Sequence, residues 1–254
     1  MKLTGGNVAA RLSLVKRYQD ASIVATFAND KVTLAFDKKG CLKSVKEVAS
    51  GRELAGTSPI PFVAVSVPGC ASLGAEKLEA ADGGRTLVFT IPGGRGTVAV
   101  GVEPFAGGWT FRVKDWRVPE ATALVLGRFR HASDLLKYRG AKANAASDDR
   151  SAVCVRGYGL KDRMLVGGGE IYVRTPAEAA GSMAVGLAAG PKDGFTKQLQ
   201  AMTVAAGVVH TPAGGAWALE GEGARASYLN ANVTEDSLDD WIDFAERGGF
   251  GVLH

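Results

Sequence analysis

The sequence predicts a mainly β protein: a large antiparallel β-sandwich over residues 1–190, a helix and linker over 191–227, and the first helix–strand element of an incomplete α/β barrel over 228–254. Three observations predict it. Short apolar runs alternating with period two recur between turn residues from about 21 to 190, and strands so spaced pack as two antiparallel sheets. Thirty-four glycines against 7% aromatic residues suit a chain with many tight turns. Helical periodicity is confined to the residues after 190.

Taken in order, "KVTLAFD" alternates Val32, Leu34 and Phe36 before the turn "KKG". "RTLVFTI" places Leu87, Phe89 and Ile91 on one face directly after "ADGG", a strong hairpin signal. "TVAVGV" repeats the pattern with Val98, Val100 and Val102, and "WTFRVKDW" does so with Trp109, Phe111 and Val113. "IPFVAVSV", "TALVLGRF", "SAVCVRGY", "EIYVRT" and "SMAVGLAA" complete a set of ten or so strands. "IPGGRGT" and "VGGGE" lack the G-x-x-x-x-G-K-[ST] of a phosphate loop and suit hairpin turns.

Beyond residue 190, "DGFTKQLQAMTVAAG" sets Phe195, Leu199, Met202 and Ala206 on one helical stripe, with Asp193 as N-cap and Gly207 as stop. A turn-rich linker follows, with Trp217 as its anchor. In "TEDSLDDWIDFAERGG" Thr234 caps, Glu235 and Asp236 fill the first turn, Leu238, Trp241, Ile242 and Ala245 make the stripe, and Gly248 ends it. "FGVL" then reads as a short strand. One helix–strand unit cannot cover its own apolar surface. The remaining units are expected downstream or on another chain.

Composition narrows the function classes. Apolar content of 46% and charged content of 22% are those of a globular protein, and no apolar run reaches the roughly 18 residues of a membrane helix. The N-terminal stretch lacks the apolar core of a signal peptide, so the chain is cytoplasmic, or extracytoplasmic if a leader has been removed. Net charge is +4 and unevenly spread: nine Lys/Arg against four Asp/Glu over 1–50, two against eight over 215–254. No basic run is interleaved with aromatics, which argues against nucleic acid as a partner. Cys41, Cys70 and Cys154 are far apart without a C-x-x-C, and no His/Asp/Glu cluster has ligand spacing, so neither metal nor cofactor is expected. No G-x-S-x-G elbow occurs.

Two stretches carry a resemblance. In "KVTLAFDKKGCLKSVKEVASGREL", Gly40, Leu42, Ser44 and Val45 are followed by Ser50, Gly51, Arg52 and Glu53. This pattern resembles the first hairpin of the galactose-mutarotase-like β-supersandwiches that precede the catalytic (β/α)8 barrel in several glycoside hydrolases. "YLNANVTEDSLDDWIDFAERGGFGVLH" looks like the join between such a sandwich and its barrel. Together they cover about 50 of 254 residues. The resemblance implies a carbohydrate partner, catalytic carboxylates on barrel strands outside this chain, and a first-strand position near the sugar for His254. A free-standing carbohydrate-binding or aldose-epimerase-like protein, and a structural sandwich subunit, are the alternatives.

Strand alternation puts Trp116 on the polar face of "WTFRVKDW" with Thr110, Arg112 and Lys114. An aromatic ring among charges suits sugar stacking, so Trp116, Arg112 and Lys114 are candidate sugar contacts; packing of Trp116 under a loop or a neighbouring domain is the alternative. His131 with Glu170 is the candidate acid–base pair of an epimerase-like site.

Overall fold

The computed structural model describes residues 22–105, 107–137, 144–208, 228–250 and 252–253. His254, His210, Trp217 and the linker 209–227 lie outside the described residues. The chain divides into two compact units, Met1–Met202 and Thr203–His254.

The first unit is built from antiparallel sheets. β1 (Ile23–Ala28), β2 (Val32–Asp37) and β3 (Leu42–Glu47) form a three-stranded meander. β4 (Ala64–Val67) and β5 (Cys70–Gly74) make a hairpin, and β6 (Lys77–Ala81), β7 (Thr86–Ile91), β8 (Gly96–Phe105) and β9 (Gly108–Arg117) a second meander. Then come β10 (Ala123–Arg130), β11 (Leu136–Lys137), β12 (Ala145–Ser147), β13 (Ser151–Gly157), β14 (Arg163–Gly167) and β15 (Glu170–Pro176). A single helical turn, α1 (Ala177–Ala180), leads to β16 (Ala184–Pro191) and helix α2 (Phe195–Ala205). A five-stranded sheet runs β14-β15-β10-β4-β5 and an eight-stranded one β11-β12-β13-β16-β9-β8-β7-β6.

Burial follows the alternation in the sequence. Val32, Leu34 and Phe36, then Leu87, Phe89 and Ile91, then Val98 and Val100, are fully buried and share one core with residues from all three sheets. That arrangement is compatible with a sandwich. Aromatic rings tie the sheets together at its centre. Phe62, just before β4, lies 4.8 Å from Phe111 of β9 and 5.0 Å from Phe36 of β2, the latter edge-on. Edge-to-face rings gain quadrupole attraction beyond burial.

The turns obey the chemistry of their residues. Between β6 and β7, Asp82, Gly83 and Gly84 all take positive φ, and Thr86 Oγ1 donates to Asp82 Oδ2 at 2.7 Å. Between β14 and β15, Gly168 and Gly169 have φ of 60° and 78°, the left-handed pair that a two-residue hairpin demands. "IPGGRGT" joins β7 to β8 with Gly93 and Gly94 at φ of 74° and 69°, so both glycine-rich stretches predicted as hairpin turns are so.

The stretch Gly40–Glu53 proves to be a brace. Ser44 Oγ donates to Glu53 Oε2 at 2.5 Å, and the backbone N–H groups of Val45 and Ala55 donate to Glu53 Oε1 at 2.7 and 2.9 Å. Gly51 takes a φ of 71° in the turn. Arg52 reaches Asp134 at 2.7 Å and also pairs with Asp148, in the turn before β13. Buried Glu47 accepts from Ser50 Oγ at 2.7 Å and from Ser151 Oγ at 2.5 Å, joining β3 to β13.

Asp148 sets a pH test. Burial works against its charge, but the N–H groups of Ser151 and Arg150, and then Arg52, outweigh that and hold its carboxyl below the ordinary 3.8. A lowered folded-state value adds stability above the unfolded pKa, and the gain is lost as pH falls through the folded one. The stability gap between wild type and Asp148→Asn, measured by denaturant unfolding, is therefore expected at pH 6 and to close as the pH drops below 3.8.

β13, β16 and β9 turn small residues to the side away from the core: Ala152 and Cys154, then Gly186, Ala188 and Gly190, then Gly108. A Cβ on Gly186 would meet Met202 Sδ at 2.7 Å, and one on Gly190 would meet the Gln198 amide, so α2 lies close against this surface. Phe195, Leu199 and Met202 are buried, as the stripe predicts. The helix starts later than expected. Gly194, at φ 79°, stands before Phe195 and takes the bond from Gln198 N–H, so Asp193 is not the cap; Gly207, at φ 70°, is the stop.

In the second unit, β17 (Tyr228–Leu229) and β18 (Val252–Leu253) pair in parallel, with a 3-10 turn over Glu235–Ser237 and helix α3 (Leu238–Arg247) between them. Thr234 and Ser237 form a reciprocal cap, and Gly249, at φ 68°, closes the C-terminal end.

Candidate functional site

On β9, Trp116 does not share a face with Arg112 and Lys114. The ladder with β8 shifts between Ala99 and Val100, so that Ala99 faces Asp115 while Val100 faces Val113. Lys114 is the extra residue of this bulge. An extra residue reverses the alternation beyond it, and Trp116 therefore sits opposite fully buried Val98, half-buried against the core. Arg112 and Lys114 stay on the outer face, both exposed, with Lys114 Nζ 3.6 Å from Glu103. Alternation by itself cannot reveal a bulge, which is why the sequence placed Trp116 with them. Trp116→Ala is expected to cost about 2 kcal/mol, less than a fully buried tryptophan would, measurable as a lower denaturant midpoint.

His131 and Glu170 are near in the fold but do not pair. His131 is buried and its Nδ1 meets the Ala132 carbonyl at 2.9 Å. Glu170 is held by two arginines instead. Arg128 Nε and Nη2 both lie 3.0 Å from Oε2, and Arg130 Nη2 donates to Oε1 at 3.2 Å. Both carboxylate oxygens of Glu170 are thus taken up by arginines, and none of its hydrogen bonds goes to His131.

Two of the three thiols are buried. Burial pushes Cys41 up to about 11 and Cys154 up to about 12, so both are protonated at neutral pH. Among the described residues, no group of three His, Cys, Asp or Glu is placed to hold a metal, and no helix is long and apolar enough to cross a membrane.

A different surface concentrates polar chemistry: the outer face of the five-stranded sheet. Ile171 and Val173 point into the core, so Glu170, Tyr172 and Arg174 point out. Across the ladder Arg163 stands opposite Arg174, and Leu165 opposite Tyr172. On the other side Arg130 faces Glu170, and Arg128 reaches Ser72 Oγ at 3.1 Å. Arg174 Nη2 reaches Ser66 Oγ at 3.2 Å. The five strands carry four arginines and a single carboxylate, Glu170. The signal was present in "GRFR" and "YVR", which space their polar residues two apart within strands read for their apolar face alone.

Comparison with known protein families and with curated proteins finds no match to this chain.

Proposed function

We propose that the chain is the non-catalytic N-terminal β-sandwich portion of a carbohydrate-active enzyme, a glycoside hydrolase acting on a polysaccharide or oligosaccharide. The sandwich corresponds in this reading to a galactose-mutarotase-like supersandwich, and β17–α3–β18 to the first α/β element of the barrel. The observation that carries the reading is that parallel crossover, with a helix whose stripe is left open. Leu238 is 44% exposed, Ile242 41% and Phe244 56%. In an α/β layer those positions are covered by neighbouring units. In this reading the Gly40–Glu53 pattern is a structural brace of the first hairpin.

In this reading Arg112 and Lys114 are exposed for sugar contact, Trp116 contributes only the edge left uncovered by the core, and His254 is a further proposed sugar contact. The test is a screen of the purified chain against aryl glycosides and a polysaccharide panel. Binding of a glycan without turnover is expected. Hydrolysis that persists through repeated purification would overturn the reading, and so would the failure of every glycan in the panel to bind.

A further inference from the structure

We propose that the outer face of the five-stranded sheet binds an anionic saccharide, through a sugar-borne carboxylate or sulfate held by Arg163 and Arg174 beside Tyr172. The proposal rests on the carbohydrate reading above and adds a substrate class to it.

The starting point is an electrostatic anomaly. Arg163 and Arg174 are directly opposite in an antiparallel ladder, and both are exposed. Like charges so placed repel across a separation of about 5 Å between their Cβ atoms. A structural arginine pair is normally relieved by a carboxylate. Among the described residues none pairs with either: the Arg174 guanidinium has the neutral Ser66 hydroxyl, and the Arg163 guanidinium has no hydrogen bond or ion pair. The sole carboxylate of these strands, Glu170, is already bound by Arg128 and Arg130. Arg130 Nε is also buried without a partner. The face therefore holds more cationic donors than it can satisfy itself.

What surrounds the pair selects the ligand. Tyr172 and Leu165 sit side by side between the Arg163–Arg174 row and the Glu170–Arg130 row. Successive rows on one face are about 7 Å apart. A pyranose C–H face laid on Tyr172 would thus carry a substituent to the guanidinium forks, which match carboxylate or sulfate with two parallel hydrogen bonds. Ser72, exposed on β5 and reached by Arg128, offers a hydroxyl for a further polar group, whereas Ser66 is buried and donates to the Ala71 carbonyl. Single-stranded nucleic acid asks for several stacking rings in succession, and the outward residues of these strands include only Tyr172 as an aromatic.

Affinity electrophoresis and calorimetry on the whole chain test this, with polygalacturonate, dextran sulfate, neutral dextran and single-stranded DNA as probes. Polygalacturonate or dextran sulfate is expected to bind, with affinity falling as salt rises; whichever binds more tightly tells carboxylate from sulfate. The double variant Arg163→Ser, Arg174→Ser is expected to bind about tenfold or more weakly. Its thermal midpoint without ligand should equal or exceed that of wild type, because the like-charge repulsion is gone, so lost binding would not reflect lost folding. Tyr172→Ser should weaken the acidic glycan and leave the salt dependence unchanged. Binding of neutral dextran that the double variant retains would sink this assignment while sparing the carbohydrate reading. DNA bound as tightly as the acidic glycans, through the same arginines, would overturn both.

Discussion

Phe111→Ala is expected to cost about 3–5 kcal/mol of folding stability, a large part of what a domain possesses. Phe111 is fully buried and lies 4.8 Å from Phe62, 6.0 Å from Phe36 and 6.5 Å from Phe27. Those rings belong to or adjoin three different sheets, so the cavity opens where the sheets meet and no single one can collapse to fill it. The cost combines the lost transfer of the ring with the void left behind. Urea unfolding measures it. A loss under about 1 kcal/mol would mean that the ring cluster is not the junction described.

The second large effect belongs to α3. Its apolar stripe is centred on Ala245, which is buried, with Leu238 and Ile242 beside it and Phe244 flanking Trp241 through an edge-on contact of 5.9 Å. Covering three half-exposed large side chains is worth about 1 kcal/mol each or more. The chain alone is expected to associate through this face, and light scattering should show a mass that rises with concentration. Leu238→Gln, Ile242→Lys and Phe244→Glu together should return it to a monomer without moving the unfolding midpoint of the first, all-sheet unit. A wild-type chain that stays monomeric at every concentration would contradict the expectation. A triple variant in which the first unit itself unfolds would contradict it equally.

Strands that bury one face were legible in the sequence because their alternation is strict. β2, β7 and β8 are the examples, with every predicted inward residue buried. β5 and β14 were missed for a physical reason. They are edge strands of the five-stranded sheet, β14 has Arg163, Met164 and Leu165 all exposed and only Val166 packed on the core, and in "CASLG" Cys70 and Leu73 pack there three apart. Neither strand shows a period of two to read. The bulge on β9 was invisible because it depends on pairing with β8, a tertiary fact. The start of α2 was misplaced by one residue because a glycine with positive φ competes with an aspartate for the same turn. As for the arginine face, each strand supplied its residues in plain view, but only the register of β14, β15 and β10 brings them together.

β16 lies between β13 and β9, holding the two parts of the eight-stranded sheet together. It is also the last strand of the first unit to leave the ribosome. Until it emerges, the nascent chain carries two exposed edges, the β9 side of a four-strand meander and the β13 side of β11–β13, each with a row of unpaired peptide groups. Those edges are templates for pairing between chains on the same polysome. Synthesis that halts before Ala184 leaves a product that cannot close its own sheet, whereas halting after Pro191 does not. Ordered, one-ended growth thus makes this strand a latch: the first unit is safest from aggregation only once its final β-segment has slid into the slot between β13 and β9.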